Sequence, residues 1–243
     1  MNPVTKHWRR LKRSLGRRFR EWRLPRAYAR LGTRYGGWWL DTTLLGSAPL
    51  LIDCGLGEDI SFPTAFLERF GGQVIGVEPN PRSLAYCREH GPPGMEILPQ
   101  AFWMKAGEQL SFHLPRHQDQ LPKGADGVSG SLVNSHEYVA GGEVLSVTTT
   151  TLAELLKEVG RDECDVLKVD IEGAEYEVLA DLCRSGDIRR CRQLLIEFHH
   201  GVTHHGIEET AATSQAIQAA GFDLVHTEGR NYIFRRHDRA ARA

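Results

Sequence analysis

The chain has 243 residues, enough for one sizeable domain or two small ones, with 41% hydrophobic and 25% charged residues. That composition excludes a disordered chain, and the lack of any run of about 18 apolar residues excludes a membrane-spanning helix. Net charge is −1, but it is unevenly placed. Residues 1–34 hold twelve Lys or Arg and one acid, Glu21, which leaves eighteen bases and thirty acids to the rest. Such asymmetry points to an anionic partner for the first segment: a membrane surface, nucleic acid or the chain's own acidic body.

The first predicted element is a helix over 6–24. Trp8, Leu11, Leu15, Phe19 and Trp22 recur at spacings of three and four, with Lys and Arg between them. Pro25 ends it. This basic amphipathic arm, taken as residues 1–34, suits either an anionic membrane interface or a surface helix packed on the body. Basic residues interrupt the place of an apolar signal-peptide core, so a secretory leader is not expected. No nucleic-acid reading motif accompanies the basic run, so nucleic acid is the weaker alternative. The five cysteines, Cys54, Cys87, Cys164, Cys183 and Cys191, form no C-x-x-C pair. They fit reduced thiols and a cytoplasmic setting, peripheral to a membrane if the arm binds one.

The body, 35–243, begins with a glycine-broken aromatic connector, Tyr35-Gly-Gly-Trp-Trp39. Strands are predicted at 50–54, 73–78 and 95–100, with helices at 61–70 and 82–90 between and after the first two. Alternation of this kind favours a parallel sheet with helices on its faces. The stretch 105–150 breaks the rhythm. Rich in Gly, Pro, Ser and His, it reads as short strands and loops ending in a strand at 144–150, with 115–143 as a lid or substrate loop. A helix at 151–159, a strand at 165–171, a helix at 174–184, a strand at 192–199 and a helix at 207–220 follow. A hairpin of 222–227 and 232–235 closes the chain.

Four motifs carry chemistry. Asp53-Cys-Gly-Leu-Gly-Glu-Asp59 follows a strand directly, and its glycines permit a tight turn and close approach to a ligand. Glu78 ends the second strand, where an acid accepts hydrogen bonds from ribose hydroxyls. Both suit a nucleoside-type cofactor. In Val166-Leu-Lys-Val-Asp-Ile-Glu-Gly-Ala-Glu175, Lys168 and Asp170 share one strand face, and burying them without partners would be costly. Glu197 and His199 share a face at the end of the next strand, with His200, His204 and His205 close behind. Asp170, Glu172, Glu197 and His199 therefore gather at neighbouring strand ends as divalent-metal ligands or general bases.

Together with Val147-Thr-Thr-Thr-Thr-Leu-Ala-Glu-Leu155, these motifs resemble the FkbM family of class I methyltransferases dependent on S-adenosylmethionine (SAM), over roughly residues 35–236. The resemblance implies a Rossmann-like α/β fold. Its seven-stranded, mostly parallel sheet has the order 3-2-1-4-5-7-6 and an antiparallel last strand. It also implies methyl transfer to a hydroxyl of a sugar, glycolipid or small natural product. By position, Asp53, Gly55 and Gly57 match the SAM loop and Glu78 the ribose acid. Gln100 and Ala101 match the place beside the adenine, with Phe102 and Trp103 as stacking groups. Asp59 stands where a third glycine is expected, and either bonds the cofactor or caps the next helix. His199 is the expected base, with Asp170 beside it. Some related O-methyltransferases use a divalent ion at these strand ends, which admits Mg2+ held by Asp170, Glu197 and His199. Two rivals are weighed. An NAD-dependent oxidoreductase would need G-x-G-x-x-G, which the loop lacks. A non-catalytic methyltransferase-fold module would have no use for Glu78, Asp170 and His199.

Overall fold

The computed structural model describes residues 27–116, 129–137, 139 and 142–237. The predicted helix 6–24 lies outside these residues. Residues 28–31, counted with the arm, form a strand. β1 (Tyr28–Leu31) pairs antiparallel with β2 (Trp38–Asp41), so the aromatic connector is itself half of a hairpin.

The central sheet follows. In chain order come β3 (Leu50–Cys54), α1 (Ser61–Phe70), β4 (Gln73–Val77), α2 (Pro81–His90) and β5 (Met95–Leu98). A three-stranded excursion comprises β6 (Ala101–Phe102), β7 (Gln109–His113) and β8 (Val144–Thr150). Then come α3 (Leu152–Glu158), β9 (Cys164–Val169), α4 (Glu175–Ser185), β10 (Cys191–Glu197), α5 (Ile207–Ala219), β11 (Phe222–Glu228) and β12 (Asn231–Arg236). The main sheet has seven strands in the order β5-β4-β3-β9-β10-β12-β11, which is the expected order. β12 runs antiparallel to both of its neighbours, and the pairs β4/β5, β3/β4, β3/β9 and β9/β10 are parallel.

The period-2 rule sorts the core. Leu50, Ile52 and Cys54 of β3 join Leu167, Val169, Leu194 and Ile196 in a cluster with Leu155 of α3, Leu179 of α4 and Ile217 of α5. The intervening Leu51, with Val74, Val166 and Leu195, packs on the other face against Phe62 and Phe66 of α1 and Leu40 of the first hairpin. Helix ends follow local chemistry. Asn80 accepts from Arg82 N at 3.0 Å ahead of α2, whose first residue is Pro81. Thr151 accepts from Glu154 N at the start of α3. Gly186, at φ 84°, stops α4 in the left-handed region.

The excursion forms its own small sheet, β6-β8-β7, with Phe112, Val147 and Ala101 in a separate apolar cluster. A bridge from His113 to Ser131 turns the described part of the predicted substrate loop back over the main sheet. No helix among the described residues is long and apolar enough to cross a membrane.

Candidate active site

A cavity of about 960 Å3 opens at the carboxyl ends of β3, β4, β9 and β10, where open parallel sheets bind ligands. Its floor begins at the glycine loop. Gly55 takes φ 85°, and a Cβ there would lie 1.8 Å from the Asp170 carbonyl oxygen. Only glycine lets the β3 turn cross the end of β9 so closely. Gly57 takes φ 57° with open space where its Cβ would stand, so the loop presents bare backbone at the cavity wall.

Glu78 holds that loop from β4. One carboxylate oxygen accepts from Leu56 N and Gly57 N, each at 3.0 Å, and the other from Asn80 N at 2.8 Å. Burial raises its pKa, and the three backbone donors and Lys168 work against that shift. Glu58 reinforces the loop through two bonds from Arg82 at 2.6 and 2.9 Å.

Asp53 lies beneath the loop, 1% exposed, and meets Lys168 Nζ at 2.8 Å. The same ammonium donates to Gly55 O at 2.7 Å and lies 3.7 Å from Asp170 Oδ2. Burial pulls the Lys168 pKa down, but Asp53 and Asp170 more than offset it and keep the ammonium charged. Asp59 faces away from this pair. It accepts from Thr33 Oγ1, from Gly36 N at 3.1 Å and from Ser61 N at 3.1 Å. It thus joins the first hairpin to the start of α1, and it also lines the cavity. Burial raises its pKa, yet the bonds from Ser61, Thr33 and Gly36 win and hold it below the usual value.

Ala101 and Phe102 line the cavity, whereas Gln100 and Trp103 do not. β5 ends at Leu98 and a separate two-residue strand follows, so the expected continuous run through Gln100 is broken and its alternation shifts. Trp103 packs against the main core instead.

The second half of the site is built by Lys168-x-Asp-x-Glu-Gly-Ala-Glu175. Glu175 is fully buried at the start of α4. Its oxygens accept from Ile171 N at 3.0 Å and Gly173 N at 3.0 Å, and one meets His199 Nδ1 at 2.7 Å. The carboxylate thereby ties the β9 turn to the end of β10. Glu172 stands at φ 57°, a left-handed conformation that costs a non-glycine residue about 1–3 kcal/mol and gathers at functional sites. Its Oε2 lies 3.1 Å from His199 Nε2 and 3.0 Å from His136 Nε2. Ser131 Oγ donates to the Glu172 carbonyl at 2.7 Å, so the 129–137 segment docks on this turn.

Both nitrogens of His199 therefore face carboxylates. Burial lowers its pKa, but Glu175 and Glu172 raise it far more, so it lies well above the usual histidine value. Both ring nitrogens of His199, the expected base, are thus engaged by carboxylates. Asp170 beside it is partly exposed and lines the cavity. Burial and then Glu197 push its carboxyl up to about 8, against the pull of Lys168 and His199. Two of the three expected ion ligands come together with Glu172. Asp170, Glu172 and His199 bring ligand atoms within 4.8 Å of one another, and Glu175 orients the histidine as second-sphere carboxylates do. Glu197 is instead paired with Arg230 at 2.9 Å.

His136, Glu175 and Arg230 were not singled out in the sequence. Glu175 carried a signal, the final acid of its motif. His136 and Arg230 carried none, because one lies in an aperiodic Gly- and Ser-rich stretch and the other in a hairpin turn.

The methyltransferase FkbM domain profile matches residues 53–224. The 2-O-methyltransferase NoeI of Sinorhizobium fredii is 31% identical over 141 residues, which are 54% of this chain and 56% of that protein. The chain thus spans about half the length of this curated relative. Similar solved structures include the N-terminal domain of human METTL16, with 12% identity, a TM-score of 0.42 and coverage of 78% of this chain and 62% of that one. Another is a TehB-like SAM-dependent methyltransferase from Corynebacterium glutamicum, with 10% identity, a TM-score of 0.37 and coverage of 80% and 84%.

Proposed function

The chain belongs to the methyltransferase FkbM domain family, and from that premise we propose that it transfers the methyl group of SAM to a hydroxyl oxygen of a sugar. One observation carries the reading: the glycine loop with Glu78 and the Asp170–Glu172–His199 cluster line a single cavity. Its volume, about 960 Å3, suits a nucleoside-sized donor beside an acceptor.

SAM supplies an already activated methyl group. The protein's task is alignment and proton removal. Leu56, Gly57 and Glu78 form the wall for the donor's ribose. The acceptor oxygen is aligned from the Asp170 side and forms its bond to the methyl carbon as the carbon–sulfur bond breaks. The hydroxyl proton passes to the Asp170 carboxylate. His199 acts through charge, holding Glu172 and Asp170 in place. The sugar assignment draws support from the 2-O-methyltransferase relative.

A second reading replaces the protonated His199 with one that shares a divalent ion with Asp170 and Glu172, favoured by the spacing of those three ligands. Tritium-labelled SAM, offered with oligosaccharides that each keep one free hydroxyl, tests the proposal. Label recovered as a methyl ether supports it, and label confined to amines or carboxylates overturns it. Turnover abolished by EDTA selects the ion over the Asp170 base.

A further inference from the structure

We propose that a second group, outside the cavity, is a transition-metal site formed by Glu177, His204 and His205. The inference rests on local geometry alone and is independent of methyl transfer. Glu177 lies in the first turn of α4, and the two histidines lie in the loop between β10 and α5. The three residues bring ligand atoms within 4.8 Å of one another.

His205 is 7% exposed. Neither of its ring nitrogens makes a hydrogen bond, and Glu177 Oε2 is likewise buried without one. Buried polar atoms in folded proteins ordinarily have partners, so this unmet capacity calls for a ligand. Two carboxylates lie at ion-pair distance, Glu177 Oε1 at 3.5 Å from Nε2 and Glu209 Oε1 at 3.4 Å from Nδ1. The former is long for a hydrogen bond but right for two ligands on one ion. Bonds of about 2.0–2.1 Å in a tetrahedron set neighbouring ligands about 3.4 Å apart.

The surroundings hold the ligands in place. The Tyr176 ring stacks on His205 with centroids 3.9 Å apart, and the two histidine rings lie 3.8 Å apart. Ser135 Oγ meets His204 Nδ1 and also accepts from His204 N, an outer bond of the kind that orients ligating imidazoles. Two imidazoles and one carboxylate select Zn2+ or a similar borderline ion over Mg2+ or Ca2+. Bound there, the ion would fasten the 200–206 loop to α4. That loop forms part of the cavity wall through Val202, whose carbonyl accepts from Glu137 N at 2.8 Å. The metal would stiffen the wall from behind.

Chelator-stripped full chain, titrated with Co2+ and followed by visible absorption, tests the site. The test includes His204→Gln and Glu177→Gln, with circular dichroism to confirm folding, and His199→Gln as the control for the cavity cluster. The expected result is one tightly bound Co2+ with tetrahedral absorption, displaced by Zn2+. It should survive in His199→Gln and weaken about 100-fold in the other two variants. No binding by the unaltered chain overturns the proposal. So does binding that ignores both loop-site variants, and binding lost in His199→Gln instead puts the ion in the cavity.

Discussion

Lys168 and Asp53 are register partners on the adjacent parallel strands β9 and β3, and their side chains meet at 2.8 Å on the face beneath the glycine loop. The same ammonium donates to the Gly55 carbonyl and sits 5.9 Å from the centre of the Trp38 ring. A single buried cation thus joins two strands, the glycine loop and the first hairpin. It also explains how Lys168 is tolerated in a fully buried strand.

Removing that cation should be expensive. Lys168→Met leaves Asp53 charged and buried, and breaking a buried pair costs about 3–5 kcal/mol. Lys168→Met with Asp53→Asn should recover part of the loss. Urea unfolding measures both, and a single-variant cost under about 1 kcal/mol would remove the pair from its structural role.

The two loop glycines should respond differently. At Gly55 a Cβ meets backbone, the Asp170 carbonyl, at 1.8 Å, so Gly55→Ala must push the loop off β9 and disrupt ligand binding with stability. At Gly57 the space is open, and Gly57→Ala should cost about 1–2 kcal/mol for its left-handed conformation alone. Equal unfolding midpoints for the two variants would contradict this.

Activity should rise with pH. The Asp170 carboxyl, pushed up to about 8 by burial and Glu197, must lose its proton before it can act as a base. Turnover is therefore low below that value and levels off above it, and Asp170→Asn should lower it by about two to four orders of magnitude. A flat profile between about pH 6 and 9 would exclude Asp170 as the base.

Stability carries the opposite signature from its neighbours. His199, raised by Glu175 and Glu172 against burial, contributes stability that is complete below its unfolded pKa of about 6.5 and lost as pH rises through the folded value. For Glu172, burial works upward, but His199 and His136 hold its pKa well below the usual carboxylate value. Its contribution is complete above about 4.3 and lost as pH falls through the folded value. The cluster therefore stabilises most between about pH 4.3 and 6.5. Denaturant unfolding of the unaltered chain and His199→Gln should show their difference shrinking toward alkaline pH; a constant difference would refute the charged imidazole.

The sheet was legible because long buried strands and amphipathic helices alternate from Leu50 onward, and because Asp53, Glu78, Asp170 and His199 stand at strand ends. The short β1–β2 hairpin was not, since four-residue strands beside Gly36 and Gly37 give no measurable period. The direction of the Glu175 side chain was hidden too. An acid in a helix's first turn reads as a dipole partner, yet its oxygens fold back onto Ile171, Gly173 and His199. His136 reaches the site through the His113–Ser131 bridge, a long-range pairing that no local pattern announces. The carboxylate partners of His199 come from α4 and the β9 turn, so their pairing with it leaves no local signal either.

The glycine loop and Glu78 are proposed to form the donor site. Calorimetry with S-adenosylhomocysteine on the unaltered chain and on Glu78→Gln addresses it most directly. The account predicts one bound equivalent and a loss of about 1–3 kcal/mol in the variant, the range for a hydrogen bond to a charged group. No binding by the unaltered chain, or equal affinity in the variant, would contradict it.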